Sequence, residues 1–170
     1  MALRDKMEKA INDQINAELF SSYLYKSMAS WFESQDLPGM ANWMNIQAKE
    51  EMDHAMKFYD YVIERGGRVI FQAIEAPQSN WESPLDAFKA AYDHEVYISR
   101  RIDDLMDMAL EEKDHATRIM LNWFVEEQVE EEDNASTNVA KVEMLKDSKR
   151  GMYMLDKEFA SRVYNPPVAE

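Results

Sequence analysis

Glutamate and histidine side chains, which can bind metal ions, occupy positions in this sequence where a packed helix would normally have apolar residues. When steps of three and four residues are followed along each apolar segment, Glu18 falls on the buried face of the first segment and Glu95 on that of the third. The second segment carries Glu51 and, one helical turn later, His54, so these two side chains point the same way. Carboxylate oxygens together with an imidazole nitrogen form a suitable donor set for a divalent metal ion.

An acidic run from Glu126 to Asp133 contributes the same kind of side chain from a fourth segment. An exposed acidic face is the usual meaning of such a run. Here, however, successive residues turn by about 100°, and the run leaves no sector wide enough for an apolar stripe. Some of its side chains must therefore face the interior, and the apolar register selects Gln128 and Glu131.

The polar positions of the four segments are expected to meet at one level, because each lies about 12 to 17 residues from the start of its segment. Burying one unpaired carboxylate costs several kcal/mol, whereas a whole domain has a net stability of only about 5–15 kcal/mol. No lysine or arginine occupies a neighbouring core position, so bound cations are the available compensation. Four carboxylates balance two divalent ions, and one histidine among oxygen ligands suits iron, manganese or zinc better than calcium or magnesium.

Five helical segments are predicted to position these residues. Their ends carry recognisable signals, such as the Ser83-Pro84 pair that begins the third and the Gly66-Gly67 pair that ends the second. The predicted bounds are Arg4 to Glu33, the residues after Gly39 to Arg65, Ser83 to Glu112, Asp114 to Lys146, and Ser148 to Ser161.

The link between the second and third helices decides the topology. Its roughly 16 residues can span about 50 Å, which exceeds the length of about 42 Å of a 28-residue helix. The link can therefore run the full height of the bundle and start the third helix parallel to the second, and Val69, Ile70 and Phe71 are expected to lay it on the bundle. We predict an all-α fold with one domain over residues 1–170, in which a four-helix bundle with a long crossover is followed by a short fifth helix.

The composition excludes several other kinds of site. The chain has 170 residues and no cysteine, so disulfides, zinc–cysteine sites, iron–sulfur clusters and thiol nucleophiles are ruled out. A formal charge of −14 disfavours nucleic acid and anionic membranes as partners and favours cations. The N-terminal residues form no apolar signal core, and no stretch reaches the roughly 18 apolar residues of a membrane span, so we expect a cytoplasmic protein.

The other two histidines, His94 and His115, have no carboxylate partner comparable to that of His54. They are expected at the surface or at a helix cap.

Over essentially its whole length the chain resembles the bacterial non-haem ferritins, a branch of the ferritin-like di-iron carboxylate family. The resemblance is carried by the motifs Asn16-Ala17-Glu18, Glu50-Glu51-Met52-Asp53-His54 and Glu126-Glu127-Gln128-Val129-Glu130-Glu131. It implies two iron ions in each chain. One would be bound by Glu18, Glu51 and His54, and the other by Glu51, Glu95 and Glu131, with Glu51 bridging the two.

The resemblance also implies roles for residues around the iron pair. Gln128 would lie near the dioxygen position, and Tyr25 and Trp123 would lie close to the centre, where Tyr25 could supply an electron or quench a radical. A third iron position is implied for Glu50, Glu127, Glu130 and Glu131. The implied activity is ferroxidase, the oxidation of Fe(II) to Fe(III) by dioxygen or peroxide, followed by storage of a ferric mineral inside a closed cage of 24 subunits.

Three related families differ from this chain, so the resemblance is to the non-haem ferritins in particular. Bacterioferritins would have histidine at the position of Glu131, rubrerythrins need cysteine-bound iron, and mini-ferritins lack the fifth helix. Met52 coincides with the haem-ligand position of bacterioferritins, but methionine also occurs there in non-haem ferritins, so haem is not expected. Two other functions stay open at this point: a shell that binds iron without oxidising it, and a di-iron oxygenase that acts on an organic substrate.

Overall fold

The structure, a computed structural model, describes residues 2–167. These residues form five α-helices and no strands, as predicted. The helices are α1 (Asp5–Ser34), α2 (Pro38–Glu64), α3 (Pro84–Glu111), α4 (His115–Leu145) and α5 (Lys149–Phe159). Each begins and ends within two residues of its predicted bounds. The two ends of the predicted domain, residue 1 and residues 168–170, lie outside the described residues.

Local signals set the helix ends. The side chains of Ser83, Asp114 and Ser148 each accept a hydrogen bond from a backbone N–H in the first turn of the helix that follows, which satisfies one of the free donors there. Helix α2 ends where Gly66 adopts a φ of +73°, and its N–H donates to the Ile63 carbonyl at 2.9 Å. Each of the four long helices thus carries its polar residues near its middle.

Contacts between the helices establish the topology. Helices α1 and α2 are antiparallel neighbours joined by a short turn, as are α3 and α4. Phe32 near the end of α1 packs on Phe88 near the start of α3, whereas Gln14 in the first half of α1 accepts a hydrogen bond from Arg101 in the second half of α3. Helix α3 therefore runs antiparallel to α1 and parallel to α2, as the length of the crossover predicts.

The crossover between α2 and α3 lies along α1 and is held mainly through its backbone. At one end the Asn12 side chain donates to the Arg68 carbonyl at 3.1 Å and accepts from the Ile70 N–H at 2.7 Å. Further along, the Ser27 hydroxyl donates to the Gln78 carbonyl at 2.6 Å. These contacts fix the path of a segment that has no secondary structure of its own.

The prediction that three apolar residues lay the crossover on the bundle is wrong for Ile70. Val69 packs against the core, and the Phe71 ring, although 62% exposed, stacks on the Tyr59 ring of α2 at 6.2 Å between centroids. The Ile70 side chain is 59% exposed and faces outwards. The crossover is therefore ordered, as expected, through polar contacts to its backbone as well as through apolar side chains.

A polar layer divides the buried core into two apolar clusters. The first cluster draws its residues from 24–48, 81–91 and 142–159, and the second from 3–17, 58–62, 98–109 and 121–124. Between the two clusters, each long helix contributes a buried carboxylic acid: Glu18, Glu51, Glu95 and Glu131. Apolar side chains therefore close off this layer towards both ends of the bundle.

Helix α5 docks on the start of α2 through a close approach of the two backbones. The Asp156 carboxylate accepts a hydrogen bond from the Met40 N–H at 2.9 Å and so caps α2. A Cβ atom on Gly39 would lie only 1.7 Å from the Asp156 carbonyl oxygen. Any residue other than glycine at position 39 would require α5 to move.

Replacing Gly39 with alanine is expected to lower the free energy of unfolding by about 1–3 kcal/mol, because the new methyl group pushes α5 away from α2. Gly151→Ala is the matched control, since a Cβ there meets the movable side chains of Leu145 and Ser148 at 2.9 and 3.0 Å rather than backbone. Thermal unfolding of the two variants measures the difference. Equal midpoints for Gly39→Ala and Gly151→Ala would contradict the proposed cause.

Candidate metal centre

All six residues selected by the apolar register are buried in the polar layer. They are Glu18 of α1, Glu51 and His54 of α2, Glu95 of α3, and Gln128 and Glu131 of α4, and none is more than 5% exposed. Of the acidic run in α4, only Gln128 and Glu131 are fully buried, while Glu126, Glu130 and Glu132 are not. The alternative of a wholly exposed acidic face is therefore excluded.

One group of side chains is arranged as a cation site. Glu18, Glu51 and His54 each offer one ligand atom, and these atoms lie within 4.8 Å of one another. The Oε2 atom of Glu18 is buried and accepts no hydrogen bond, which is costly for the charged carboxylate unless a positive group lies beside it. A metal ion bound by these three residues would remove that cost, so the donor set and the unpaired oxygen both fit a metal ion.

A second group lies beside the first and shares its histidine. Ligand atoms of His54, Glu127 and Glu131 also lie within 4.8 Å of one another, and the Glu127 carboxylate is 3.9 Å from His54 Nε2. The resemblance assigned Glu127 only to the third iron position, without His54. The spacing offers a signal that was not used, since Glu127 and Glu131 are four residues apart and so share one helix face.

Hydrogen bonds hold Glu95 in place. The Tyr25 hydroxyl donates to Glu95 Oε1, and the Gln128 amide donates to Glu95 Oε2 at 3.3 Å. Tyr25 is fully buried. The two donors occupy one lone pair on each carboxylate oxygen and leave others for a cation. Tyr25 and Gln128 thus contact the polar layer directly, where the resemblance expects them.

Gln47 is a residue of the centre to which sequence reasoning gave no role. Its side chain is fully buried, and its amide nitrogen donates to Glu51 Oε1 at 3.1 Å and to Glu131 Oε2 at 2.7 Å. One amide therefore links carboxylates of α2 and α4. A glutamine one turn before Glu51 in the same register was the available signal, but its partner on α4 is set only by the packing of the helices.

Burial and mutual repulsion make the four central carboxylic acids weak acids. Burial is the largest cause in each case and raises the pKa of Glu18, Glu51, Glu95 and Glu131 to about 8, and neighbouring carboxylates raise it further. Without a cation these groups hold most of their protons at neutral pH. Cation binding therefore has to displace protons from the centre.

The residues implied for a third iron position are less deeply buried than the six central ones. Glu50 and Glu127 are partly exposed and Glu130 is exposed, and only Glu131 of the four is buried. The Glu50 carboxylate already accepts a hydrogen bond from the Arg162 guanidinium. The third position therefore has a competitor within the chain itself.

Two further residues named in the sequence analysis, Trp123 and Met52, are partly exposed. Trp123 is 39% exposed, and its ring meets the His54 imidazole edge-on at 5.5 Å between ring centroids. The Lys57 ammonium lies 4.5 Å from the Trp123 ring centroid. Met52, at the position where bacterioferritins bind haem, is 41% exposed.

The prediction of a surface or capping position is wrong for His94. This residue is only 9% exposed, and its Nε2 atom lies 2.7 Å from the Ser21 hydroxyl of α1. Burial lowers the pKa of His94 to about 4, so the imidazole is neutral at physiological pH. His115 is exposed at the first position of α4, as predicted.

Comparisons with known proteins agree on one family. The model of the ferritin-like domain matches residues 8–145. A bacterial non-heme ferritin of Bacteroides fragilis is 41% identical over 160 residues, covering 94% of this chain and 99% of its own length. One of Staphylococcus aureus is 36% identical over 163 residues, covering 96% of this chain and 98% of its own. The crystal structure of an open pore ferritin from Archaeoglobus fulgidus superposes with a TM-score of 0.94 at 51% identity, over 95% of this chain and 98% of that one.

Proposed function

Because the chain belongs to the ferritin family, whose members store iron, we propose that it takes up Fe(II), oxidises it to Fe(III) at the polar layer of the bundle and keeps the product as a mineral inside a protein cage. The observation that carries the proposal is the group of Glu18, Glu51 and His54, with its unpaired buried oxygen. A buried group of this kind is expensive in a protein that never binds a cation.

In the proposed reaction, two Fe(II) ions are the substrates. One is held by Glu18, Glu51 and His54, and the second by Glu51, Glu95 and Glu131, so that Glu51 contacts both. Anionic oxygen ligands stabilise Fe(III) more than Fe(II), which makes loss of an electron from each ion more favourable. Two electrons reduce dioxygen with two protons to hydrogen peroxide, or reduce hydrogen peroxide with two protons to two water molecules.

Two residues support the reaction without binding the first ion. Gln128 and Tyr25 each hold one oxygen of Glu95 and so keep this carboxylate in position. Burial keeps the Tyr25 phenol protonated by raising its pKa well above the usual value. Tyr25 can then give up one electron together with its proton, which we propose as its role when the iron ions supply too few electrons.

We propose a cage of 24 subunits as the form in which the protein works. The exposed apolar side chains of Ile70, Phe71 and Ile74 on the crossover support association with other subunits. No helix within residues 2–167 is both long enough and apolar enough to cross a membrane. The formal charge of −14 favours the entry of cations. A cytoplasmic location stays a prediction.

Anaerobic loading of the purified protein with Fe(II), followed by exposure to oxygen, tests the proposal. We expect an absorbance change within milliseconds to seconds that saturates at about two Fe(II) per chain, in a large hollow particle measured by light scattering. Oxidation no faster than that of free iron would leave storage without turnover as the function. A fast reaction in a small particle would instead favour an oxygenase.

A further inference from the structure

The residues that follow α5 fold back along α2 beside the metal centre. We call residues 160–165 the C-terminal tail. Its path is fixed by the Asn42 amide, which donates to the Arg162 carbonyl at 3.1 Å, and by the Tyr164 hydroxyl, which donates to the Asp53 carboxylate at 2.6 Å. The Lys49 ammonium lies 5.2 Å from the centroid of the Tyr164 ring. The tail is therefore attached to α2 at the Arg162 backbone and at the Tyr164 side chain.

The Arg162 guanidinium is held by four contacts on α2. It stacks over the Trp43 ring at 4.5 Å from the centroid and donates to the Trp43 carbonyl at 3.3 Å. It also donates to Gln47 Oε1 at 3.0 Å and to the Glu50 carboxylate. Its side chain is 24% exposed. An arginine whose planar face is stacked and whose two terminal nitrogens both donate hydrogen bonds is a positioned cation rather than a mobile surface charge.

We propose that Arg162 is an internal cation that competes with metal for Glu50 and positions Gln47, and so limits the centre to about two ions. This inference rests on the proposed function, since it concerns the same centre. It assigns a role to a residue outside the four-helix bundle.

The orientation of Gln47 follows from this arrangement. Arginine can only donate hydrogen bonds, so the Gln47 atom that faces Arg162 must be the amide oxygen. The amide nitrogen is then forced to face Glu51 and Glu131, to which it donates. Without Arg162, the Gln47 amide could rotate and present an acceptor to the two carboxylates. Arg162 is therefore a positioning residue that acts on the centre through Gln47.

The competition at Glu50 follows from charge. A metal ion at the third position would need the Glu50 carboxylate, which Arg162 already neutralises through a charge-assisted hydrogen bond. The other partners implied for that position, Glu127 and Glu130, are at least partly exposed and can turn towards an ion without such a cost. Removal of Arg162 is expected to tighten binding of a third ion by at least about tenfold, the range of a single hydrogen bond to a charged group.

Zinc is a suitable probe, because Zn(II) binds carboxylates and histidine but undergoes no redox reaction. Calorimetric titration of the assembled protein with Zn(II) is expected to give about two tightly bound ions per chain for the unaltered protein and about three for Arg162→Gln. Arg100→Gln removes an exposed arginine on α3 and is the matched control for the change in net charge. Crystals soaked in Zn(II) should show the additional anomalous peak beside Glu50 in Arg162→Gln alone.

Further variants separate a direct effect from damage to the fold. The double variant Arg162→Gln with Glu50→Gln should return to about two ions, since the carboxylate released by the first change is removed by the second. Arg162→Lys keeps the charge but loses the stacking and part of the hydrogen bonding. Its affinity for a third Zn(II) should therefore lie between those of the unaltered protein and Arg162→Gln. If Arg162→Gln fails to assemble, Arg162→Lys decides the question in the same titration, because tighter binding of a third ion than in the unaltered protein supports the inference and unchanged binding overturns it.

The outcomes distinguish failure of the inference from failure of the proposed function. Two ions per chain in both the unaltered protein and Arg162→Gln would overturn the role of Arg162 while leaving the centre intact. Three tight ions in the unaltered protein would overturn it as well. If neither protein binds the first two ions, the proposed function itself is wrong.

Discussion

Replacement of Glu51 by alanine is expected to slow Fe(II) oxidation at least about a hundredfold, to the rate of iron free in solution. Ligand atoms of Glu51, Glu18 and His54 lie within 4.8 Å of one another, and the Gln47 amide connects Glu51 to Glu131 of α4. Without it, neither proposed iron position keeps its full set of ligands, and the carboxylate shared by the two ions is lost.

The rate of the fast absorbance phase after mixing with oxygen measures this effect. His54→Ala should lose the fast phase as well, because the histidine belongs to both groups of candidate ligands. Glu33→Ala, which removes an exposed carboxylate at the end of α1, is the matched control and should oxidise iron normally. Glu51→Ala and His54→Ala should assemble into the same particle as the unaltered protein, since both side chains are buried within the bundle. An unchanged rate in Glu51→Ala would overturn the proposed centre.

The metal-free protein is expected to become less stable as the pH rises from 5.5 to 8. The four central carboxylic acids have a pKa of about 8 in the folded protein, against the usual value of 4.5. Between these two pH values the folded state keeps protons that the unfolded state has released. Each retained proton lowers the free energy of unfolding by about 1.4 kcal/mol per pH unit as the pH rises. The stabilisation is complete below about pH 4.5 and is lost by about pH 8.

Melting temperatures of the metal-free protein measured across this pH range test the prediction. Zn(II) should prevent most of the fall in melting temperature, because the cation replaces the displaced protons. Glu51→Gln should make the slope shallower, since one of the titrating groups is gone. A midpoint that rises steadily between pH 5.5 and 8 would mean that the four acids do not hold their protons in the folded state.

Periodicity predicted what lies within a single helix. The bounds of the helices and the burial of Glu18, Glu51, His54, Glu95, Gln128 and Glu131 follow from a repeat of three to four residues. A helix with an apolar stripe must bury that stripe, so a polar residue on the stripe is buried with it. This rule needs no knowledge of the neighbouring helices, which is why it succeeded here.

Periodicity within one helix cannot predict contacts between residues that are far apart in the chain. Arg162 is 112 residues away from Glu50 in the chain, and nothing in the local pattern of either residue indicates that they meet. His94 is buried because α1 packs Phe20 and Tyr25 against its ring and places the Ser21 hydroxyl within hydrogen-bond distance. The Ile70 side chain is exposed, although the Asn12 side chain holds the Ile70 backbone against α1. Each of these results depends on how whole helices are placed rather than on one segment.

Because the polar layer lies between the two apolar clusters, the stability of the folded subunit depends on whether ions occupy this layer. Ions in the layer bind the folded chain and not the unfolded one, so a subunit that holds them opens less often than an empty one. Proteases cut chains mainly when they open. Subunits with occupied centres should therefore outlast empty ones in the cell, and the lifetime of the protein should rise with the supply of the metal that it binds.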